Sequence, residues 1–221
     1  MEETIGNIKF DETLTASPYL KPIRLRFERR GKTRFWDLAL EHDSVAVVLF
    51  HRDKNALLFV KQFRPPVFVK KVRQLPENAG KTIHEIDFSK YPVSFGETIE
   101  LCAGLMDKPT KNALQTIREE INEEVGYNVA EEKIQLIKKL ISSISVSGSQ
   151  QNLYYAEIDD SMKISEGGGN SNEGEIIEKI YMTIEEARAY IEKESVDSPP
   201  ACLYGIKWFI DKYDAKLLPN K

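Results

Sequence analysis

Four glutamates fall within six residues of the stretch REEINEEVGY, at positions 119, 120, 123 and 124. On a helix, Glu120, Glu123 and Glu124 share one face, because residues three and four positions apart are neighbours. Carboxylates crowded in this way repel each other, at about 0.2–0.5 kcal/mol for each i,i+4 pair. Gly126 marks the expected C-terminus of the helix, where the helix dipole disfavours anions further.

A bound divalent cation would offset these costs. Mg²⁺ and Mn²⁺ prefer carboxylate oxygens as ligands, and local rules are most often broken together where a protein has a functional site. The pattern therefore indicates a Mg²⁺ or Mn²⁺ site on this helix face. A solvated acidic face is the alternative interpretation of the same residues.

The helix that carries the glutamates has a clear register. Leu114, Ile117, Ile121 and Val125 fall in one narrow stripe at 100° per residue, which predicts the side that faces the core. The three clustered carboxylates then lie away from the core, and Glu119 points elsewhere.

The rest of the chain reads as an α+β fold. PIRLRFERRGKTRFWDLAL predicts an N-terminal β-hairpin that turns at Arg30-Gly31. Residues 68–96 lose periodicity, and we expect a long loop or insertion there. Further strands are predicted at DSVAVVLF, ALLFVKQF, TIELCAGL, IQLIKKLISSISV, QNLYYAEI and EIIEKIYM, and helices at NALQTIREEINEEVG, about 184–194 and about 201–213.

Composition narrows the classes of partner. The net charge is −4 with acidic and basic residues interleaved, so neither a nucleic acid nor a membrane surface is expected to bind. No apolar run is long enough to span a bilayer and the start lacks a signal-peptide pattern, so we expect a cytoplasmic protein. The two cysteines show no spacing typical of a zinc site or a disulfide scaffold.

The glutamate stretch resembles a known family motif. AGLMDKPTKNALQTIREEINEEVGY resembles the Nudix box, G-x5-E-x7-R-E-U-x-E-E-x-G-U. Its E, U, E, E, G and U positions hold Glu120, Ile121, Glu123, Glu124, Gly126 and Tyr127. There are two departures: Glu119 stands at the arginine position, and one extra residue after Gly104 leaves Lys111 where the first glutamate would fall.

Segments outside the box extend the resemblance. ASPYLKP, WDLALEHDSVAVVLF, VKQFRPPV, ELCAGLMD and SVSGSQ are similar to the nucleoside diphosphate sugar branch of the Nudix hydrolases. The resemblance implies an α/β/α sandwich with a mixed sheet, preceded by an N-terminal antiparallel β domain. It divides the chain into a dimerisation region at 1–43 and a hydrolase domain at 44–221, with a homodimer as the assembly.

The resemblance also implies a reaction. Water would attack the diphosphate of a nucleoside diphosphate sugar, converting UDP-glucose to UMP and glucose 1-phosphate with the help of Mg²⁺. ADP-ribose or another ADP-sugar is the alternative substrate. The two departures from the box leave open a catalytically silent Nudix-like binding module.

The family pattern assigns the metal ligands. It implies Glu120 and Glu124 as principal ligands, Glu123 as a further one, and the carbonyl of Ala103 as completing the shell. Cys102 is interpreted as a packing residue, because no base accompanies its thiol.

The same pattern implies three substrate contacts. Arg64 would bind phosphate oxygens, for which a guanidinium is suited, and a surface ion pair is the alternative. Trp36 would stack on the base across the dimer, or pack inside the hairpin. Glu100 would accept hydrogen bonds from the ribose or base, or lie unused on an edge strand.

A catalytic base is implied on the glycine-rich loop EGGGNSNEGE. Glu173 and Glu175 occupy the position at which the family carries a base on a mobile loop, and Glu175 is favoured. Gly167, Gly168 and Gly169 are expected to give the loop freedom to close over substrate. A solvated connector is the alternative.

Overall fold

In the computed structural model, residues 2–11, 17, 19–170 and 174–218 are described. Their strands are β1 (Lys21–Arg29), β2 (Lys32–Leu40), β3 (Ser44–His51), β4 (Ala56–Phe63), β5 (Glu97–Glu100), β6 (Cys102–Leu105), β7 (Gln135–Ile141), β8 (Gln150–Ile158) and β9 (Glu178–Thr183). Their α-helices are α1 (Pro65–Arg73), α2 (Ala113–Glu120), α3 (Ile184–Ile191) and α4 (Pro200–Asp214).

Strands β3 to β9 form one mixed sheet of seven strands. Strand β3 runs parallel to β8 along its whole length, whereas it pairs with β4 only where residues 49–51 face residues 56–58. Beyond that point β5 pairs with β4 and β6 pairs with β3. The predicted strand TIELCAGL is thus two short strands, which fill the gap where β3 and β4 separate.

Helices cover both faces of this sheet. Alternate residues of β3 serve two different cores: Val47 packs in the core that includes the buried face of α2, and Val48 packs in the core that includes α3 and α4. The predicted strand buried on both faces is confirmed, because every side chain from Val45 to Phe50 is buried. The α/β/α sandwich implied by the resemblance is also confirmed.

The glutamate helix follows its predicted register. Ile117, Ile121 and Val125 are fully buried, and Gly126 ends the helix in the left-handed conformation with φ of 83°. The chain widens into a π-helical turn over Ile121–Val125, a feature that often occurs at functional sites. At the other end, the side chain of Asn112 caps α2 by accepting hydrogen bonds from the first backbone N–H groups.

Two expectations about irregular segments need correction. The segment 68–96 begins inside α1 and continues through short 3₁₀ helices, so the prediction of a long loop is wrong. Phe68, Val72, Ile86 and Phe88 give this segment a small core of its own, against which apolar residues of the N-terminal segment pack. The last strand begins at Glu178, so the predicted start of that strand three residues earlier is also wrong.

The predicted N-terminal hairpin is confirmed as a separate two-stranded sheet of β1 and β2. Arg30 and Gly31 form its turn, with φ of 53° and 70°. Most of its side chains are exposed on both faces, and the backbone N–H of Ala39 donates to the carbonyl of Val146. Across the described part of the chain, no helix combines the length and apolar character needed to cross a membrane.

Candidate active site

A cleft of about 460 Å³ opens where β4, β5 and β6 meet the end of α2. Strands β3 and β4 separate here, and β6 fills part of the gap between them beside the cleft. The residues that line the cleft are Tyr19, Ser44, Arg64, Glu100, Ala103, Gly104, Leu105, Asp107, Lys108, Glu120, Glu123, Glu124, Gln151, Asn170 and Glu175. The fold therefore gathers seven of the nine predicted site residues in one cleft.

Glu124 is a buried carboxylate of the cleft, and Glu120 beside it is half-buried. Glu124 is only 2% exposed, and one of its oxygens accepts a hydrogen bond from the backbone N–H of Ala103 at 3.1 Å. Cys102 is fully buried, and burial together with the negative charges of Glu124 and Glu120 raises the pKa of its thiol. Among the described residues, neither glutamate forms an ion pair with a lysine, arginine or histidine.

This environment opposes ionisation of both groups. Burial raises the pKa of Glu124 to about 8, with a further rise from the negative charges of Glu120 and Glu175. Burial likewise raises the pKa of Glu120 to about 7, and Glu123 and Glu175 add to the effect. Because the neutral forms are favoured, deprotonation of these groups at neutral pH costs folding free energy.

The cleft suits a hard divalent cation. It offers carboxylate oxygens from Glu120, Glu123 and Glu124, the ligand type that Mg²⁺ and Mn²⁺ prefer, and within the described part of the chain no ion pair involves Glu120 or Glu124. Gly104 allows the Glu120 side chain to lie against the backbone of β6, since a Cβ atom at position 104 would lie 1.9 Å from a carboxylate oxygen of Glu120. The ligand type is thus the one that such a metal prefers, and binding of Mg²⁺ or Mn²⁺ by these three glutamates stays a prediction.

A second cluster of possible ligands lies at the other end of β3. The side-chain ligand atoms of His51, Asp53 and Asp160 lie within 4.8 Å of one another. However, the Lys54 ammonium group lies 3.3 Å from Asp160, and the His51 ring nitrogen Nε2 lies 3.1 Å from the Tyr127 hydroxyl. These partners already satisfy the cluster, so the glutamate cleft is the better candidate for a metal.

Arg64 and Glu100 form a bidentate ion pair at the wall of the cleft. Arg64 Nε and Nη2 each donate to one oxygen of Glu100 at 2.8 Å, and the Thr98 hydroxyl donates to the same carboxylate at 2.6 Å. Glu100 is 7% exposed, so its position is well defined. Two of the five guanidinium N–H groups of Arg64 are used here, and three are left for a ligand.

Trp36 lies outside the cleft of its own chain. It sits on β2, 49% exposed, and its indole N–H donates to the carbonyl of Ser145 at 2.8 Å. The fold of one chain therefore does not bring Trp36 to the other predicted site residues. A base contact by Trp36 stays a prediction that requires a second chain.

The loop that follows β8 reaches the cleft through Glu175. The backbone N–H of Asn170 donates to the carboxylate of Glu175 at 3.3 Å, which holds this side chain across the loop. The second predicted base, Glu173, lies outside the described residues.

The consecutive glycines of this loop lie against the end of the glutamate helix. The N–H groups of Gly168 and Gly169 donate to the carbonyls of Glu124 and Glu123, so the loop is attached to the end of the glutamate helix. A Cβ atom at Gly167 would lie 2.5 Å from the Glu124 carbonyl oxygen. In this arrangement the described glycines allow close docking of two backbones, and closure of the loop over substrate stays a prediction.

The two departures from the box compensate each other. The Lys111 ammonium group forms a short ion pair with one oxygen of Glu119. Lysine thus stands at the position of the box glutamate, and glutamate stands at the position of the box arginine. The charges are exchanged and the attraction between the loop and the helix is kept. Sequence reasoning missed this pairing, although the opposite charges at both departing positions were a visible signal.

The structure also adds cleft residues that the sequence did not single out. Tyr19, which is 62% exposed, lines the cleft together with Lys108, Gln151 and Asn170. Tyr19 and Gln151 come from segments far from the box in sequence, so only the fold reveals their proximity.

Comparisons with known proteins point in one direction. No family model matches the chain. The chain is 35% identical over 198 residues to uridine diphosphate glucose pyrophosphatase NUDT14 of Bos taurus, covering 88% of this chain and 89% of the relative. It is 30% identical over 200 residues to the protein of the same name from Mus musculus, covering 89% and 90%. GDP-mannose pyrophosphatase of Citrobacter koseri is 29% identical over 153 residues, covering 68% and 64%.

The raised pKa values of the cluster predict an unusual dependence of stability on pH. Glu124 favours its neutral form in the fold, so its contribution to stability is complete below its unfolded pKa and is lost as the pH rises through about 8. Without divalent cations, the unfolding temperature of the wild type should therefore fall relative to that of Glu124→Gln between pH 5 and pH 8, by several degrees.

Thermal unfolding followed by circular dichroism measures this difference, with both proteins in the same buffers. A divalent cation at the upper pH should restore the wild type and leave Glu124→Gln unchanged. Parallel curves for the two proteins across the pH range would contradict the assignment.

Proposed function

Because this chain belongs to the Nudix hydrolase family, we propose that it hydrolyses the diphosphate bond of nucleoside diphosphate sugars, with UDP-glucose as substrate and UMP and glucose 1-phosphate as products. The observation that carries the proposal is the pair of carboxylates Glu120 and Glu124, which lie in one cleft with Arg64 and form no ion pair with any described residue. The relatives named as UDP-glucose and GDP-mannose pyrophosphatases support the same class of substrate.

A divalent cation is part of the proposal. Glu120, Glu123 and Glu124 would hold Mg²⁺, or Mn²⁺ in its place, with the Ala103 carbonyl as a further oxygen ligand. When bound, the metal supplies neutralisation of the diphosphate charge and acidification of the attacking water.

The residues of the chain then have separable tasks. Arg64, fixed through Nε and Nη2 by Glu100, presents its remaining N–H groups to the phosphate oxygens of the substrate. Glu100 acts as the residue that orients Arg64. Glu175, held beside the cleft by the docked loop, accepts a proton from the attacking water, which is the role of a general base.

The alternative of a catalytically silent binding module loses its main motivation. That alternative rested on Glu119 and Lys111 at the departing box positions, and these two residues form an ion pair that joins the loop to the helix. An ADP-sugar is the second candidate substrate, because the predicted base contact, Trp36, does not line the cleft of its own chain.

Hydrolysis and its dependence on the cluster test the proposal directly. Purified protein incubated with a panel of UDP-, GDP- and ADP-sugars, with Mg²⁺ or with EDTA, should release nucleoside monophosphate and sugar 1-phosphate only with metal, and fastest from UDP-glucose. Glu120→Gln and Glu124→Gln should each lower kcat by orders of magnitude, because each removes a metal ligand.

Chromatography of the products gives the measurement, and Glu132→Gln, an exposed glutamate shortly after the box, is the matched control that should keep the wild-type rate. Full turnover in either cluster variant would refute the ligand assignment.

The base assignment predicts a different kinetic pattern. Glu175→Gln should lower kcat by about 10²–10⁴-fold, the usual contribution of general base catalysis, with little change in the Kd of Mg²⁺ measured by calorimetry. Glu173→Gln is the comparison variant in the same loop. If both single variants and the double variant keep full kcat, the base lies elsewhere.

We also propose that the protein is a homodimer that uses its N-terminal hairpin. A two-stranded sheet is marginally stable alone in water, and this one exposes Leu25, Phe35 and Trp36. Ile144, 84% exposed, lies in the segment that hydrogen-bonds to the hairpin through Ser145 and Val146. A second copy of the chain would cover this apolar surface and could bring Trp36 to a cleft.

Light scattering during size-exclusion chromatography tests the assembly. We expect a dimer at micromolar concentration, and we expect Phe35→Glu to shift it to monomer because a charge would be buried in the interface. Ile164→Glu is the matched control, since Ile164 is 57% exposed and Phe35 is 58% exposed. A monomeric wild type would rule out the dimer.

A further inference from the structure

Lys108 occupies an unusual place at the mouth of the cleft. Among the described lining residues, six are acidic, namely Glu100, Asp107, Glu120, Glu123, Glu124 and Glu175, and two are cationic, namely Arg64 and Lys108. The charge of Arg64 is matched by Glu100 in a bidentate ion pair. Lys108 is therefore the second cation, beside Arg64, that the described lining offers to an anionic group.

Lys108 shares its nearest carboxylate, that of Glu119, with a second lysine. Its ammonium group lies 3.5 Å from one oxygen of Glu119, and the other oxygen is held by Lys111 in a shorter contact. Two lysines thus share one carboxylate, and the negative charges of Glu120 and Glu123 also act on Lys108. The Lys108 side chain is 54% exposed, so it is accessible to a ligand.

A tight turn produces this arrangement. The N–H of Lys111 donates to the carbonyl of Lys108 at 3.0 Å, with Pro109 between them, as in a β-turn with proline at its second position. The turn brings both lysines to Glu119, but only Lys108 lines the cleft. Lys111 lies instead along the outer groove beside α2.

We propose that Lys108 binds a phosphate oxygen of the substrate, with Glu119 as the residue that positions its ammonium group. An ammonium group is a common phosphate ligand, and Lys108 faces the same cleft as Arg64, so the two cations can bind one diphosphate together. The glutamate at position 119 attracts Lys108, whereas the arginine expected there from the box would repel it. The exchange of charges thus adds a substrate contact.

This inference rests on the proposed function and is tested by comparing the two lysines that share Glu119. Lys108→Met should raise the KM for UDP-glucose about tenfold, the loss expected for a hydrogen bond to a charged group, with kcat nearly unchanged. It should raise the Kd of a non-hydrolysable methylene-bridged UDP-glucose analogue, measured by calorimetry with Mg²⁺, by the same factor. Lys108→Arg should restore most of both values.

Lys111→Met is the matched control. It removes the stronger partner of Glu119 and should lower the unfolding temperature, while KM and Kd stay within about twofold of the wild type, because Lys111 does not reach the cleft. Glu119→Gln should raise KM less than Lys108→Met does, since the ammonium group remains but is no longer held.

The outcomes separate the two proposals. If the wild type hydrolyses UDP-glucose and Lys108→Met changes neither KM nor Kd, or if Lys111→Met changes them equally, the role of Lys108 is overturned and the proposed function stands. If the wild type binds the analogue but hydrolyses no sugar nucleotide, the proposed function fails and the Kd comparison still decides for or against Lys108. Absence of both activities counts against both proposals.

Discussion

The concentration of carboxylates at the C-terminal end of one helix is the constraint on which the rest of the structure depends. Burial, mutual repulsion and the helix dipole all oppose negative charge at Glu120 and Glu124. The fold nevertheless places no described cation against these two groups. The backbone N–H of Ala103 donates to Glu124, and protonation or a bound cation would relieve the remaining cost of the negative charge.

The sheet supplies the geometry that makes this possible. Because β3 and β4 separate after a few paired residues, the segment of β5 and β6 crosses between them and presents Ala103 and Gly104 to the glutamate helix. The same segment carries Glu100 to Arg64. One departure from regular strand pairing therefore brings the carboxylates of the glutamate helix and Arg64 into the same cleft.

The end of the glutamate helix also organises the loop beyond β8. Its last carbonyls accept hydrogen bonds from the glycine backbone, and the Lys179 ammonium group donates to the carbonyls of Val125 and Glu166. These contacts satisfy helix-terminal carbonyls that would otherwise lack partners. The helix that holds the candidate ligands and the loop that holds Glu175 are thereby one connected unit.

Local features of the chain were readable from the sequence. The spacing of Ile117, Ile121 and Val125 gave the register of the glutamate helix and hence the shared face of its carboxylates, and the hairpin turn at Arg30-Gly31 followed from residue type. These features depend on neighbours a few positions away, whose geometry is set by the backbone period. The family resemblance extended this to the α/β/α layers and to most of the cleft.

Contacts between distant segments were decided only by the tertiary structure. Residue type left Arg64 with a choice between phosphate and a surface carboxylate, and the pairing of β4 with β5 settled that Glu100 fixes its orientation. The glycines 167–169 looked like a hinge, but their docking depends on carbonyls more than forty positions earlier in the chain. Sequence pattern by itself determines which side chains share one helix or strand. The interaction partners of a side chain on other elements depend on how the layers pack. Many side chains of opposite charge are available in the sequence, and only the packed layers bring one of them within reach.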